Sequence, residues 1–231
     1  MVEMTPGPTD LPIASLILGV TFIYLIYHFQ LANPGGERRQ VFIQKLGGGA
    51  LMMAGGIVLL LLLSRSPLQN GLWAPPKNPL FSTWKAVGGL AAFILPLLFL
   101  AARAPKIQDQ YPEIREDKWP LSLALQSAGA WAVYLLGYEF LFRGALLFPL
   151  VDWIGLYPAL ATMTSMYALA HLNKSPAEAI SCLPMGIVFG FLAVNAGSIW
   201  PAWLLHVAIA LISENAAVAH SPSKKWLFST K

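Results

Sequence analysis

Leu135-Leu136-Gly137-Tyr138-Glu139-Phe140-Leu141-Phe142-Arg143-Gly144 places a carboxylate and a guanidinium inside an apolar run that extends from Leu121 to Leu150. That run is longer than the roughly 20 residues a helix needs to cross a bilayer, so both charges sit far from either flanking loop. A charge at the bilayer centre costs about 2.5–3.5 kcal/mol even on insertion scales, and something must offset it. At i and i+4 the two side chains share one helix face, which allows a self-neutralising structural ion pair. An intramembrane ionisable residue is equally a mark of a functional site.

Outward from this stretch the pattern repeats. Apolar runs of spanning length cover Leu11–Ala32, Phe42–Ser64, Trp84–Ala102, Leu121–Leu150, Tyr157–Leu172, Pro176–Val194 and Ile199–Ala219. They predict an all-α fold, a polytopic membrane helix bundle of about seven transmembrane helices. Composition agrees: of 231 residues 56% are hydrophobic and 11% charged, against about 25% charged in a soluble domain. The breaks carry turn chemistry, at Asn33-Pro34-Gly35-Gly36, Ala74-Pro75-Pro76-Lys77-Asn78-Pro79, the charged segment Arg103–Lys118, and Asn195-Ala196-Gly197-Ser198. Three units follow: N-terminal helices and surface loop over 1–120, a core over 121–219, and a tail over 220–231.

Charge placement tests the span count. With the N-terminus outside, the inside loops hold Arg38, Arg39, Lys45, Arg103, Lys106, Arg115, Lys118, Lys174, Lys224, Lys225 and Lys231, and the outside loops only Arg65, Lys77 and Lys85. An odd number of spans with the C-terminus inside accounts for this asymmetry. Tyr111 and Trp119, in the main surface loop, suit an interfacial position. Spread through loops in this way, the net charge of +4 sets membrane orientation, and nucleic acid is excluded as a partner. Met1–Asp10 holds no Lys or Arg and so lacks the positive region of a signal peptide; the first run is expected to remain as a span. The single cysteine, Cys182, can build neither a disulfide framework nor a cysteine-rich zinc site.

Two histidines join the buried charges. His171 ends Met163-Thr164-Ser165-Met166-Tyr167-Ala168-Leu169-Ala170, and His206 lies within Trp203-Leu204-Leu205-His206-Val207-Ala208. At 1.5 Å rise per residue, and measured from the one face where their helices begin or end, Glu139 lies about 15 Å deep, His171 about 20 Å and His206 about 10 Å. All three can line one cavity, the usual accommodation of such groups. One carboxylate with two imidazoles can hold a divalent metal such as zinc with a position open to water. It can also activate water directly, with Glu as base and His as proton partner or oxyanion donor. Either chemistry is hydrolysis. His28 and His220, at helix ends, read as ordinary interfacial residues, and Glu214 as an end-of-helix or cavity-rim residue.

Tyr138-Glu139-Phe140-Leu141-Phe142-Arg143-Gly144, then Tyr167-Ala168-Leu169-Ala170-His171, then His206-Val207-Ala208-Ile209-Ala210, with Gly197-Ser198-Ile199-Trp200-Pro201-Ala202 before the last, resemble the motifs of the CPBP family of intramembrane proteases. That family contains the type II CAAX prenyl endopeptidases and a bacteriocin-processing or immunity group, and carries EExxxR with FRG, FxxxH, and HxxxN or HxxxD on successive membrane helices. The resemblance covers about Leu121–Ala219. It implies an endopeptidase in the bacterial plasma membrane acting on a peptide or lipid-modified protein near the bilayer lipids. Its site would be Glu139, His171 and His206, supported by Arg143 and Tyr138, with a divalent metal such as zinc on the same three residues. Two positions depart from the pattern: Tyr138 stands where the family has its first glutamate, and Ala210 where it has Asn or Asp. A phenol with a pKa of about 10 is a poor base, which leaves open a catalytically inactive relative that uses the cavity to bind a peptide, as an immunity or scaffold protein would. A small transporter fits less well, because matching halves with interrupted helices are not evident.

Overall fold

The computed structural model describes residues 7–32, 36–73, 80–172 and 176–227, and these are helical almost throughout. Helix α1 (Asp10–Ile26) runs on into a π turn, Tyr27–Leu31, and α2 covers Arg38–Leu62. A π turn at Leu68–Leu72 is followed by α3 (Leu80–Ala101), the short α4 (Pro105–Gln108) and strand β1 (Lys118–Pro120). Helix α5 (Leu121–Glu139) continues through a π segment, Phe140–Leu147, into α6 (Phe148–Ile154). Then come α7 (Leu156–Leu169), α8 (Pro176–Ala196), α9 (Trp200–His220) and strand β2 (Lys225–Leu227), which pairs in parallel with β1. The leader reading of residues 1–6, the turns at 33–35 and 74–79, and the positions of Lys77, Lys174 and Lys231 lie outside the described residues.

Among the described residues six helical stretches are long and apolar enough to cross a membrane: Asp10–Leu31, Arg38–Leu62, Ser82–Ala101, Leu121–Ile154, Pro176–Ala196 and Trp200–His220. The run Tyr157–Leu172 forms a seventh leg of different length. Its helix, α7, has 14 residues and rises about 21 Å, short of the roughly 30 Å hydrocarbon core. Gly155, at φ 84°, makes the reversal between α6 and α7 in a backbone region that favours glycine. Because α7 stops early, His171 lies just beyond its end, where it lines a cavity with His206.

Glycine contacts give the helix directions. A Cβ on Gly49 would meet Val133 and one on Gly56 would meet Phe140 and Ala145, so α2 runs parallel to α5. Gly19 faces Leu59 and Gly55 faces Ile23, so α1 is antiparallel to α2; Gly186 against Thr164 and Gly190 against Leu160 make α7 and α8 antiparallel. The start of α1 and the β1–β2 pair therefore lie on opposite faces, as an odd number of legs requires. Small residues let helix backbones approach closely, and these glycines do so within one chain. The tightest case between helices is Gly137, where a Cβ would sit 2.0 Å from the Gly49 carbonyl oxygen. Both partners are backbone and cannot yield by a rotamer change. Gly137→Ala is expected to cost about 3 kcal/mol, the upper end for overpacking, read as a lower unfolding midpoint in detergent; Gly129→Ala, with nothing within 4 Å, should leave it unchanged.

One expectation about the charged loops is corrected. Lys45 is not in a loop but in α2, 2% exposed. Trp119 is fully buried among Val41, Ile114, Leu123 and Val218, donates its indole N–H to the Glu116 carbonyl (3.0 Å) and stacks edge-on against Trp226. The tail's strand folds over it, a long-range pairing that local pattern does not reveal.

Candidate active site

Glu139 is the last residue of α5, where winding passes from α to π. Single π turns occur often at functional sites, and Pro149, lacking an N–H to donate one turn back, supplies a local reason for irregular winding just before it. The Glu139 and Arg143 side chains are both fully buried. Arg143 Nη1 donates to Glu139 Oε1 over 3.2 Å, the i, i+4 pair expected from spacing. The same oxygen lies 2.6 Å from His206 Nδ1. The guanidinium also lies over the rings of Tyr167, 4.5 Å from its centroid, and Phe189, at 5.5 Å, which spreads its charge over aromatic faces. Arg143, Glu139 and His206 thus form one chain of contacts across two helices.

His206 points past this pair into a cavity of about 330 Å³, whose wall also holds Tyr138, Tyr167, His171, Glu178, Cys182, Phe189 and Ala210. Six of the chain's seven tyrosines line it: Tyr24 and Tyr27 from α1, Tyr111 from the surface loop, Tyr134 and Tyr138 from α5, and Tyr167 from α7. The ring of Tyr138 neighbours both imidazoles, 6.2 Å from His171 and 6.1 Å from His206, centroid to centroid. His171 packs on Tyr167 at 4.8 Å and its Nδ1 lies 2.9 Å from the Tyr167 carbonyl oxygen. A carbonyl or ionised carboxylate only accepts, so in each neutral ring Nδ1 carries the hydrogen and Nε2 the lone pair.

The structure therefore brings His171, His206 and Tyr138 to one cavity and sets Glu139 behind His206. Tyr138 and Glu139, neighbours about 100° apart on the helix, face different partners. As arranged, these residues do not fit a metal: Glu139 and His206 hydrogen-bond each other instead of opening toward a common point. Among the described residues no group of three or more His, Cys, Asp or Glu side chains could hold a metal ion.

A second buried charge cluster lies toward the loop face. Lys45 Nζ is 2.6 Å from Glu113 Oε2 and 3.1 Å from the Trp131 ring centroid, while the Glu113 backbone N–H donates to Glu214 Oε1 over 3.0 Å. Glu214 is 2% exposed, so it is neither helix end nor rim but part of the clasp that fastens the surface loop to α2 and α9. That loop carries Tyr111 into the cavity wall. Lys45→Met is expected to cost about 2 kcal/mol, below the range for a fully buried pair because Glu113 keeps some solvent contact. The readout is the unfolding midpoint, and prior Glu113→Gln should shrink the effect.

Tyr24, Tyr27 and Glu178 were not singled out by sequence reading, and Tyr111 was read only as interfacial. The available signal was weak: tyrosines at positions 24 and 27 in an apolar span, i and i+3 on one face. Residues 119–212 match the family model described as Type II CAAX prenyl endopeptidase Rce1-like. No curated protein and no solved structure matches the chain.

Proposed function

From the match of residues 119–212 to the Type II CAAX prenyl endopeptidase Rce1-like family model, we propose that this integral membrane protein is an intramembrane endopeptidase of that family using His206, backed by Glu139, to activate water. The observation that carries the reading is the 2.6 Å contact between His206 Nδ1 and Glu139 Oε1. A carboxylate in that position holds the imidazole in one tautomer and stabilises the imidazolium formed when Nε2 takes a proton. Glu139 is then a positioning residue and not the base itself, while Arg143 balances its charge inside the membrane. His171, on the same wall, accepts the second hydrogen of the water and orients it.

The substrate is a peptide segment at the membrane, prenylated or otherwise lipid-modified in keeping with the family, that enters the tyrosine-lined cavity. Arg38 and Lys118 start parallel helical legs on the face that also carries Lys106, Arg115 and Lys225, a concentration of positive charge that supports reading this face as the inner one. A peptide-binding, non-hydrolysing role is favoured by one observation, Tyr138 and Ala210 at two motif positions. The test separates the two. Purified protein in nanodiscs is given fluorogenic, C-terminally prenylated peptides, with and without chelator. Cleavage that survives chelator and is lost in His206→Ala supports the proposal. Binding without cleavage supports the inactive reading, and loss of activity with chelator would overturn the metal-free mechanism.

A further inference from the structure

We propose that the Tyr138 hydroxyl is a catalytic hydrogen-bond donor to the carbonyl oxygen of the scissile peptide bond; this rests on the hydrolytic reading above. Tyr138 is 3% exposed, and its hydroxyl is buried without a hydrogen-bond partner among the described residues. Leaving such a group unsatisfied costs about 1–3 kcal/mol, a cost that makes sense where a ligand atom completes the bond. The residue lines the cavity and its ring lies 6.2 and 6.1 Å from the two imidazoles, nearly perpendicular to both at 81° and 85°.

Two other hydroxyls of the wall are committed elsewhere. Ser213 donates its hydroxyl to the Ile209 carbonyl (2.9 Å) and Tyr24 donates to the Ala170 carbonyl (2.5 Å). Ala210, one turn after His206, offers no side-chain donor. The Trp131 indole N–H also has no hydrogen-bond partner among the described residues, but it lies about 10 Å along α5 from Tyr138, away from the imidazoles that Tyr138 faces. A phenol is a neutral donor at neutral pH, suited to a site that already holds a buried ion pair.

In the step, the water oxygen bonds to the carbonyl carbon as its proton passes to His206 Nε2, and the C=O π pair moves onto oxygen. The Tyr138 O–H shortens its hydrogen bond to that oxyanion without giving up its proton. Collapse restores the carbonyl, breaks the C–N bond, and returns the proton from His206 to the departing amine. Tyrosine at this position therefore changes the task of the residue from base to oxyanion donor.

The test uses the full chain in nanodiscs with a cleavable prenylated peptide and the matching peptide carrying a statine, whose tetrahedral carbinol mimics the intermediate. Tyr138→Phe keeps the ring, and its unfolding midpoint is measured alongside. Expected is a fall in kcat of about 100-fold, the scale for one oxyanion donor, with KM within about twofold. Statine affinity should drop about tenfold or more while product-peptide affinity holds. Turnover in the parent protein with kcat unchanged in Tyr138→Phe, or with the loss confined to KM, overturns this inference and leaves the endopeptidase reading standing. No turnover in the parent protein overturns both.

Discussion

Glu139→Ala is expected to destabilise the protein by about 3–5 kcal/mol, the largest single-residue effect on stability anticipated here. The change deletes the partner of Arg143, which is fully buried and whose only hydrogen bond among the described residues goes to Glu139. Its contacts with Tyr167 and Phe189 offset only a part of the charge. Measured by unfolding in mixed micelles, Glu139→Ala should lower the midpoint sharply. The double replacement Glu139→Ala, Arg143→Met should recover much of the loss, because an apolar pair of similar volume removes both charges at once. A double variant no better than the single one would show that shape, and not charge pairing, sets the cost.

The largest effect on activity is expected at His206. If it takes the proton from water, His206→Ala should lower kcat by about 10²–10⁴-fold, the range for general acid–base catalysis, with little change in peptide affinity. Glu139→Gln should fall in the same range through loss of the carboxylate that stabilises the imidazolium, and at a smaller cost in stability than Glu139→Ala because an uncharged hydrogen-bond acceptor remains for Arg143. A kcat of Glu139→Gln equal to that of the parent would remove Glu139 from the mechanism and leave it as the counter-charge of Arg143. His171→Ala should cost less than His206→Ala, since it orients the water and does not take its proton.

Several of these features are legible in the chain itself. Apolar runs and the absence of enough charge to face water decide the membrane bundle, because backbone polar groups in hydrocarbon leave the helix as the economical choice for such runs. The i, i+4 spacing of Glu139 and Arg143 decides their pairing, since both lie on one turn of one helix and no other element need be placed first. Glycines 48, 49, 55 and 56 announce close packing but not its partner.

What distant residues do together was decided by tertiary structure. That Tyr24 and Tyr27 share a cavity with His206 depends on how α1 lies across α5 and α7, and no periodicity within α1 encodes it. Lys45, Glu113 and Glu214 are three unremarkable charges in three separate segments, and only their convergence makes a buried clasp of them. The buried pair Glu139 and Arg143, from which the fold could be inferred, was fixed by local helix geometry. Its use was not: His206, 67 residues further on, reaches the same carboxylate oxygen because α9 packs against α5. The physical reason for the division is range, since hydrophobic periodicity and helical spacing act over a few residues while a site is assembled by the packing of whole helices.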